Sequence, residues 1–195
     1  MRGFNVILFD NFQTLDAFGP VEVMGQMPKE YKQGFFSLQG GLVTGRHGFQ
    51  VMTEPFSAIT PGGVLLIPGG IGTRKLVGEA DYIDALRVLA ADAAYLLTVC
   101  TGSALLAKTG LLDGKSATSN KIAFDWVVTL SDAVNWVRKA RWVADGNIYT
   151  SSGVSAGMDM TLGFISDHHG EQVAANAAAY IEYIRNKDSN ADPFA

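Results

Sequence analysis

The chain has 195 residues, of which 48% are hydrophobic and 17% charged, and a formal net charge of −4. So apolar a balance excludes a disordered chain, and the acidic surplus argues against a nucleic-acid partner, whose recognition needs clustered lysine and arginine. A single cysteine excludes an intramolecular disulfide, and no Cys/His spacing suits zinc, so no metal is expected.

The elements follow one another as alternating strands and helices. Phe4 to Phe9 is an apolar run broken only by Asn5, the look of a strand covered on both faces. After the loop signal Asp10-Asn11, Pro20 suits the first turn of a helix on which Val21, Met24 and Met27 recur at helical spacing. Asp16 is then expected between strand and helix, at the strand's carboxyl end. Phe35 to Leu38 is a second strand, and Leu42 to Glu54 an extended excursion turning at Gly45-Arg46-His47-Gly48, with His47 a solvated surface residue. Val64 to Ile67 is a third buried strand that stops at Pro68-Gly69-Gly70, where glycine permits close backbone approach to a ligand or simply makes a turn. Tyr82 to Ala93 is helical by period.

Tyr95-Leu96-Leu97 leads into Thr98-Val99-Cys100-Thr101-Gly102 and then into Ser103 to Ala107, a pattern of strand, tight turn and helix with the lone cysteine at the turn. A thiol there lies beside the free N–H groups that open a helix, which favours the thiolate; a small buried core residue is the other reading. Gly110 closes that helix, Ala117 marks a short strand, and Ile122 to Leu130 reads as a further helix. Ala140 to Ala144 and Ile148 to Ser151 form a hairpin with an Asp145-Gly146 turn. Ser155 can cap a helix from Gly157 to His168, and a last helix runs from Glu171 through Ile184. His168 and His169 fall in a helix's last turn, where positive charge is favourable, and read as a helix end rather than a metal site. Asn186 to Ala195 is a polar tail.

This order indicates an α/β fold, a mostly parallel central sheet flanked by helices with an added β-hairpin, built as a single domain over residues 1–195. No apolar run reaches the roughly 18 residues of a membrane span, and Met1-Arg2-Gly3-Phe4 carries no signal-peptide pattern. A cytoplasmic protein with no membrane partner is expected. In such a sheet, ligands bind beyond the carboxyl ends of the strands. Asp16, Gly69-Gly70 and Cys100 all fall there, which brings together a thiol, a carboxyl group and backbone donors. Asp16 and Cys100 would oppose each other's ionisation unless they share a proton, and a shared proton could be delivered to a substrate as sulfur adds. The N–H groups of Gly70 and Thr101 are candidate donors to developing charge. Asp16 equally fits a helix cap.

Pro68-Gly69-Gly70, Val99-Cys100-Thr101-Gly102, Leu111 to Thr118 and Ser152 to Asp159 together resemble the ThiJ/PfpI superfamily over nearly the whole chain. The resemblance implies a flavodoxin-like sandwich, a cysteine at a strained elbow and a homodimer. Leu15-Asp16, Gly19-Pro20 and Cys100-Thr101-Gly102 are similar to the isonitrile hydratase branch, which is close to the amidase-like domain of AraC-type regulators. That implies a cofactor-independent enzyme acting on a small molecule, with Cys100, Asp16 and Thr101 catalytic and Gly69, Gly70 and Asn120 binding substrate. Relatives with peptidase, deglycase or glyoxalase activity commonly carry glutamate at the acid position and histidine near the cysteine. Here Asp16 and Asn120 stand instead, and asparagine cannot accept a proton. Hydration of an isonitrile therefore leads, ahead of dicarbonyl glyoxalase or deglycase chemistry and of a cysteine-based redox or ligand sensor.

Overall fold

In the computed structural model, which describes residues 1–195, β1 (Arg2–Ile7) runs through the middle of an eight-stranded sheet. Phe4, Val6 and Ile7 are fully buried, because helices cover both faces and no strand residue here needs to meet water. β2 (Tyr31–Ser37) and β5 (Val64–Ile67) flank β1 in parallel. β6 (Tyr95–Val99) and β10 (Ile148–Ser151) extend the parallel sheet beyond β5, and β4 (Gln50–Pro55) extends it beyond β2. Antiparallel β3 (Gln39–Thr44) and β9 (Trp142–Asp145) form the edges, giving the order β3-β4-β2-β1-β5-β6-β10-β9. The chain winds outward from β1 in both directions, so the switch point lies between the carboxyl ends of β1 and β5.

α1 (Thr14–Gly25), α6 (Ala156–His169) and α7 (Glu171–Tyr180) pack together on one face; α2 (Thr73–Leu76), α3 (Ala80–Ala91) and α4 (Gly102–Lys108) pack together on the other. α5 (Phe124–Val128) lies after the short β7 (Ser116–Ala117), which pairs with β8 (Asn135–Trp136) in a separate two-stranded ribbon. No helix is long and apolar enough to cross a membrane.

Several boundaries differ from the sequence reading. α1 starts at Thr14, so Pro20 lies inside the helix and Asp16 belongs to its first turn. The cause is the loop before it. Asn11 takes φ +63°, Phe12 bridges Gly70, and Gln13 donates its N–H to the Gly69 carbonyl at 2.8 Å. These ties to the end of β5 leave the chain no room for a longer loop. Gln13 holds the cap position, so Asp16 is no cap. Ser155 precedes α6 without a side-chain cap bond, and the hairpin loop is Gly146-Asn147, since Asp145 still pairs with Ile148. α5 is shorter than expected, and α7 ends at Tyr180, with Glu182 turned to φ +52° just beyond.

The terminal segment is not a free polar tail. Arg141 is buried against Asp159, with Nε at 2.7 Å and Nη2 at 2.6 Å from Oδ2. Tyr183 and the Asn186 N–H donate to the other oxygen of Asp159 at 3.1 and 2.9 Å. The Ser189 carbonyl accepts the Arg141 N–H at 2.8 Å, the Asp192 N–H reaches the Lys139 carbonyl at 2.8 Å, and Ser152 donates to the Asp192 carboxylate. The segment thereby covers a buried ion pair that would be expensive if left partly solvated and unpaired.

Candidate active site

Cys100 sits between β6 and α4 at φ +56°, a left-handed conformation that costs an L-residue about 1–2 kcal/mol. Three bonds hold it there. Its N–H donates to the Ser151 carbonyl at 3.2 Å, and its carbonyl accepts the hydroxyls of Ser103 at 3.1 Å and Ser119 at 3.0 Å. Strain that the surroundings over-determine in this way is a mark of functional sites. Two glycines make the elbow possible. A Cβ on Gly102 would lie 2.1 Å from the Ile67 carbonyl oxygen, and one on Gly69 would lie 2.5 Å from the Thr101 nitrogen and 2.8 Å from the Cys100 Cβ. Glycine at 69 is thus first a steric requirement of the elbow.

Asp16 reaches the same point from α1. It is fully buried, and its Oδ2 accepts the Gly69 N–H at 3.0 Å. Oδ1 has no well-formed hydrogen bond; the side chain that interacts with the carboxyl group is the Cys100 thiol. Burial pushes the Asp16 carboxyl up to about 7, the Gly69 N–H and the thiol drawing it only partly back. Burial also pushes the Cys100 thiol up, and the Asp16 charge adds to this, outweighing the Thr101 N–H and hydroxyl that oppose it. The expected resting thiolate is therefore not what the site favours, because burial first, and the Asp16 charge second, take away more than the N–H groups opening the seven-residue α4 offer.

The Thr101 hydroxyl is a brace. Its Oγ1 accepts the Gly70 N–H at 3.0 Å and lies 3.0 Å from the Thr73 hydroxyl, which donates to the Gly70 carbonyl at 2.8 Å. The Gly70 N–H, a candidate donor in the sequence, is thus engaged by Thr101 within the protein. The Thr101 N–H is the one that bears on the sulfur. Thr73 and Ser119, which fix the loop and the elbow, carried no signal of their own in the sequence.

Asn120 lies beside the elbow without bonding to it; its Oδ1 accepts the Ala123 N–H at 3.0 Å and so organises the turn before α5. Its Nδ2 faces Gly153, where a Cβ would stand 2.9 Å away. Asn120, Ile122, Gly153, Val154, Asp192 and Phe194 line a cavity of about 460 Å³, inside the range of about 300–1,000 Å³ usual for small-molecule sites. Val154 is itself strained, at φ +23°. Lys121 on the same wall is pulled down to about 8 by burial and donates to the Ala140 carbonyl at 2.7 Å and to Thr118 at 2.9 Å.

None of the histidines completes a dyad with Cys100. His47 is exposed and its Nδ1 lies 2.6 Å from the Thr14 hydroxyl. His168 and His169 end α6, with Tyr149 and Tyr31 as partners. Gly157, near the start of that helix, packs on Val99, so twelve residues of helix put His169 roughly 18 Å from the elbow.

A sequence profile of the DJ-1/PfpI family matches residues 4–167. Isonitrile hydratase of Pseudomonas putida is 33% identical over 178 residues, which cover 91% of this chain and 76% of that protein. The HTH-type transcriptional regulator GbdR of Pseudomonas aeruginosa is 28% identical over 194 residues, 94% of this chain and 52% of the regulator, so the chain spans about half the regulator's length. Among solved structures, a ThiJ/PfpI family protein from Pseudomonas syringae superposes with a TM-score of 0.86 at 27% identity, covering 95% of this chain and 76% of the other.

Proposed function

The chain belongs to the DJ-1/PfpI family, and we propose that within it the protein is a cofactor-independent, cysteine-dependent hydratase that converts small organic isonitriles into N-substituted formamides. The observation that carries this reading is the pairing of a buried carboxyl group, held near 7, with a thiol that is also pushed up. Above about pH 7 such a pair retains one proton and can place it on either member. The sulfur of Cys100 attacks the terminal isonitrile carbon while Asp16 transfers its proton to that same carbon, leaving a thioimidate on Cys100 and a carboxylate at Asp16. The carboxylate then takes a proton from water as the water oxygen adds to the thioimidate carbon. Protonation of nitrogen and cleavage of the carbon–sulfur bond release the formamide and return one proton to the pair. Thr101 braces the Gly70 loop and directs its N–H to the sulfur, and Gly69 fixes the carboxyl group. The cavity beside Asn120 accepts the substituent on nitrogen. The enzyme acts as a homodimer in this reading, by family resemblance.

Formation of N-phenylformamide from phenyl isonitrile, followed by chromatography, tests the proposal. Wild-type protein should turn the compound over and Cys100→Ala should not; full activity in the variant, or none in the wild type, would sink it. Consumption of methylglyoxal, measured in parallel, separates this reading from glyoxalase chemistry, which needs a base near the thiol that Asn120 does not supply. The raised thiol weighs against a peroxide sensor, since the thiolate is the oxidisable form.

A further inference from the structure

Nothing around Cys100 uses Asn5, the one polar residue in the interior of β1. It is only 7% exposed, and no protein group hydrogen-bonds its side-chain amide, whose polar atoms face a cavity rather than the sealed core. The surroundings are shaped to hold that amide. A Cβ on Gly3 would lie 2.9 Å from Asn5 Oδ1, and one on Gly63 would lie 2.7 Å from Nδ2, so glycine at both positions lets the amide lie on the sheet. Asn5 pairs in register with Leu65, on the face that α3 covers.

The amide opens onto a cavity of about 380 Å³ walled by Phe56, Ile59, Leu65, Ala85 and Leu89, with Asp92 among its lining residues. Asn5 stands level with Leu96 across β5, and Cys100 lies four residues farther along, roughly 13 Å toward the carboxyl ends of the strands. The two sites are therefore distinct.

We infer that this cavity is a second small-molecule site, for a compact apolar compound that carries a neutral carboxamide edge. The Asn5 amide presents a donor and an acceptor side by side, and a single group with the complementary pair, such as a carboxamide or lactam, satisfies both at once. The lining of this cavity is largely apolar and holds no cation, which disfavours a carboxylate, and Asp92 would repel one; Arg2 and Lys32 line a separate cavity that Asn5 also touches. The inference does not depend on the reaction at Cys100.

Titration of the ¹⁵N-labelled full chain with benzamide tests it. Saturable shifts are expected at Asn5, Gly63, Leu65 and Leu89 and not at Gly69, Cys100 or Ser119. Toluene, which has the ring without the amide, should bind at least tenfold more weakly. Asn5→Ala should weaken benzamide at least tenfold and leave toluene unchanged, and Ala85→Phe, which fills the cavity from the helix side, should abolish both. Ala85→Phe decides the matter if Asn5→Ala does not fold. The inference fails if benzamide does not saturate, if its shifts map to the elbow, if toluene binds equally well, or if Ala85→Phe binds benzamide like the wild type.

Discussion

Gly69 donates its N–H to Asp16 Oδ2 at 3.0 Å, so the loop that follows β5 holds the one carboxyl group that faces the thiol. That bond joins a helix on one side of the sheet to a loop at its edge. It fixes Oδ2 and leaves Oδ1 without a hydrogen-bond partner.

The pH dependence of turnover follows from the pair. In the proposed reaction the active form carries one proton between Asp16 and Cys100, and below the Asp16 value of about 7 a second proton is bound. The kcat/KM for an isonitrile should therefore rise with pH through about 7 and then level off. Asp16→Asn should lose both this rise and most of the rate, about 10²–10⁴-fold. A profile recorded from pH 5 to 9 checks both statements.

Stability should run the other way. The Asp16 carboxyl titrates near its ordinary value of 3.8 when unfolded and about 7 when folded. The folded state therefore binds its proton more tightly, and the contribution is full below 3.8 and lost as pH climbs to about 7. The loss is on the order of 4 kcal/mol. Asp16→Asn should flatten this decline, so that its stability relative to the wild type is greater at pH 8 than at pH 4. Urea unfolding at the two pH values measures the difference.

Two glycines should respond differently to one methyl group. Gly102→Ala drives a Cβ to 2.1 Å from the Ile67 carbonyl oxygen, where only backbone can yield, and should cost about 3 kcal/mol or more. Gly48→Ala meets nothing within 4 Å but retains φ +85°, so it should cost only about 1 kcal/mol. Chemical denaturation of the two variants gives the ratio.

Removing the guanidinium over Asp159 should be severe. Arg141→Met leaves the buried Oδ2 without its two donors and should cost about 3–5 kcal/mol. The segment from Asn186 to Ala195 should also become more susceptible to protease, because the Arg141 guanidinium faces Asp192 at 4.0 Å. Thermal unfolding and limited proteolysis report the two effects separately.

The alternation of apolar strands with periodic helices was legible along the chain, since burial on both faces leaves runs such as Val64 to Ile67 without polar interruption. The elbow was legible too, because a strand, a tight turn around Cys100 and a glycine at 102 are all local. Local pattern put Asp16 at the end of the first strand but could not say that it would lie inside the helix or how it would titrate. Its helix begins where long-range bonds to Gly69 and Gly70 end the loop, and its proton affinity is set by burial contributed from other elements. The same holds for the thiol, for the Gly70 N–H that Thr101 takes up, and for the terminal segment drawn over Arg141. Residue order determined which groups reach the carboxyl ends of the strands. Tertiary packing alone decided their charge, because the cost of ionisation depends on the solvent that distant segments exclude.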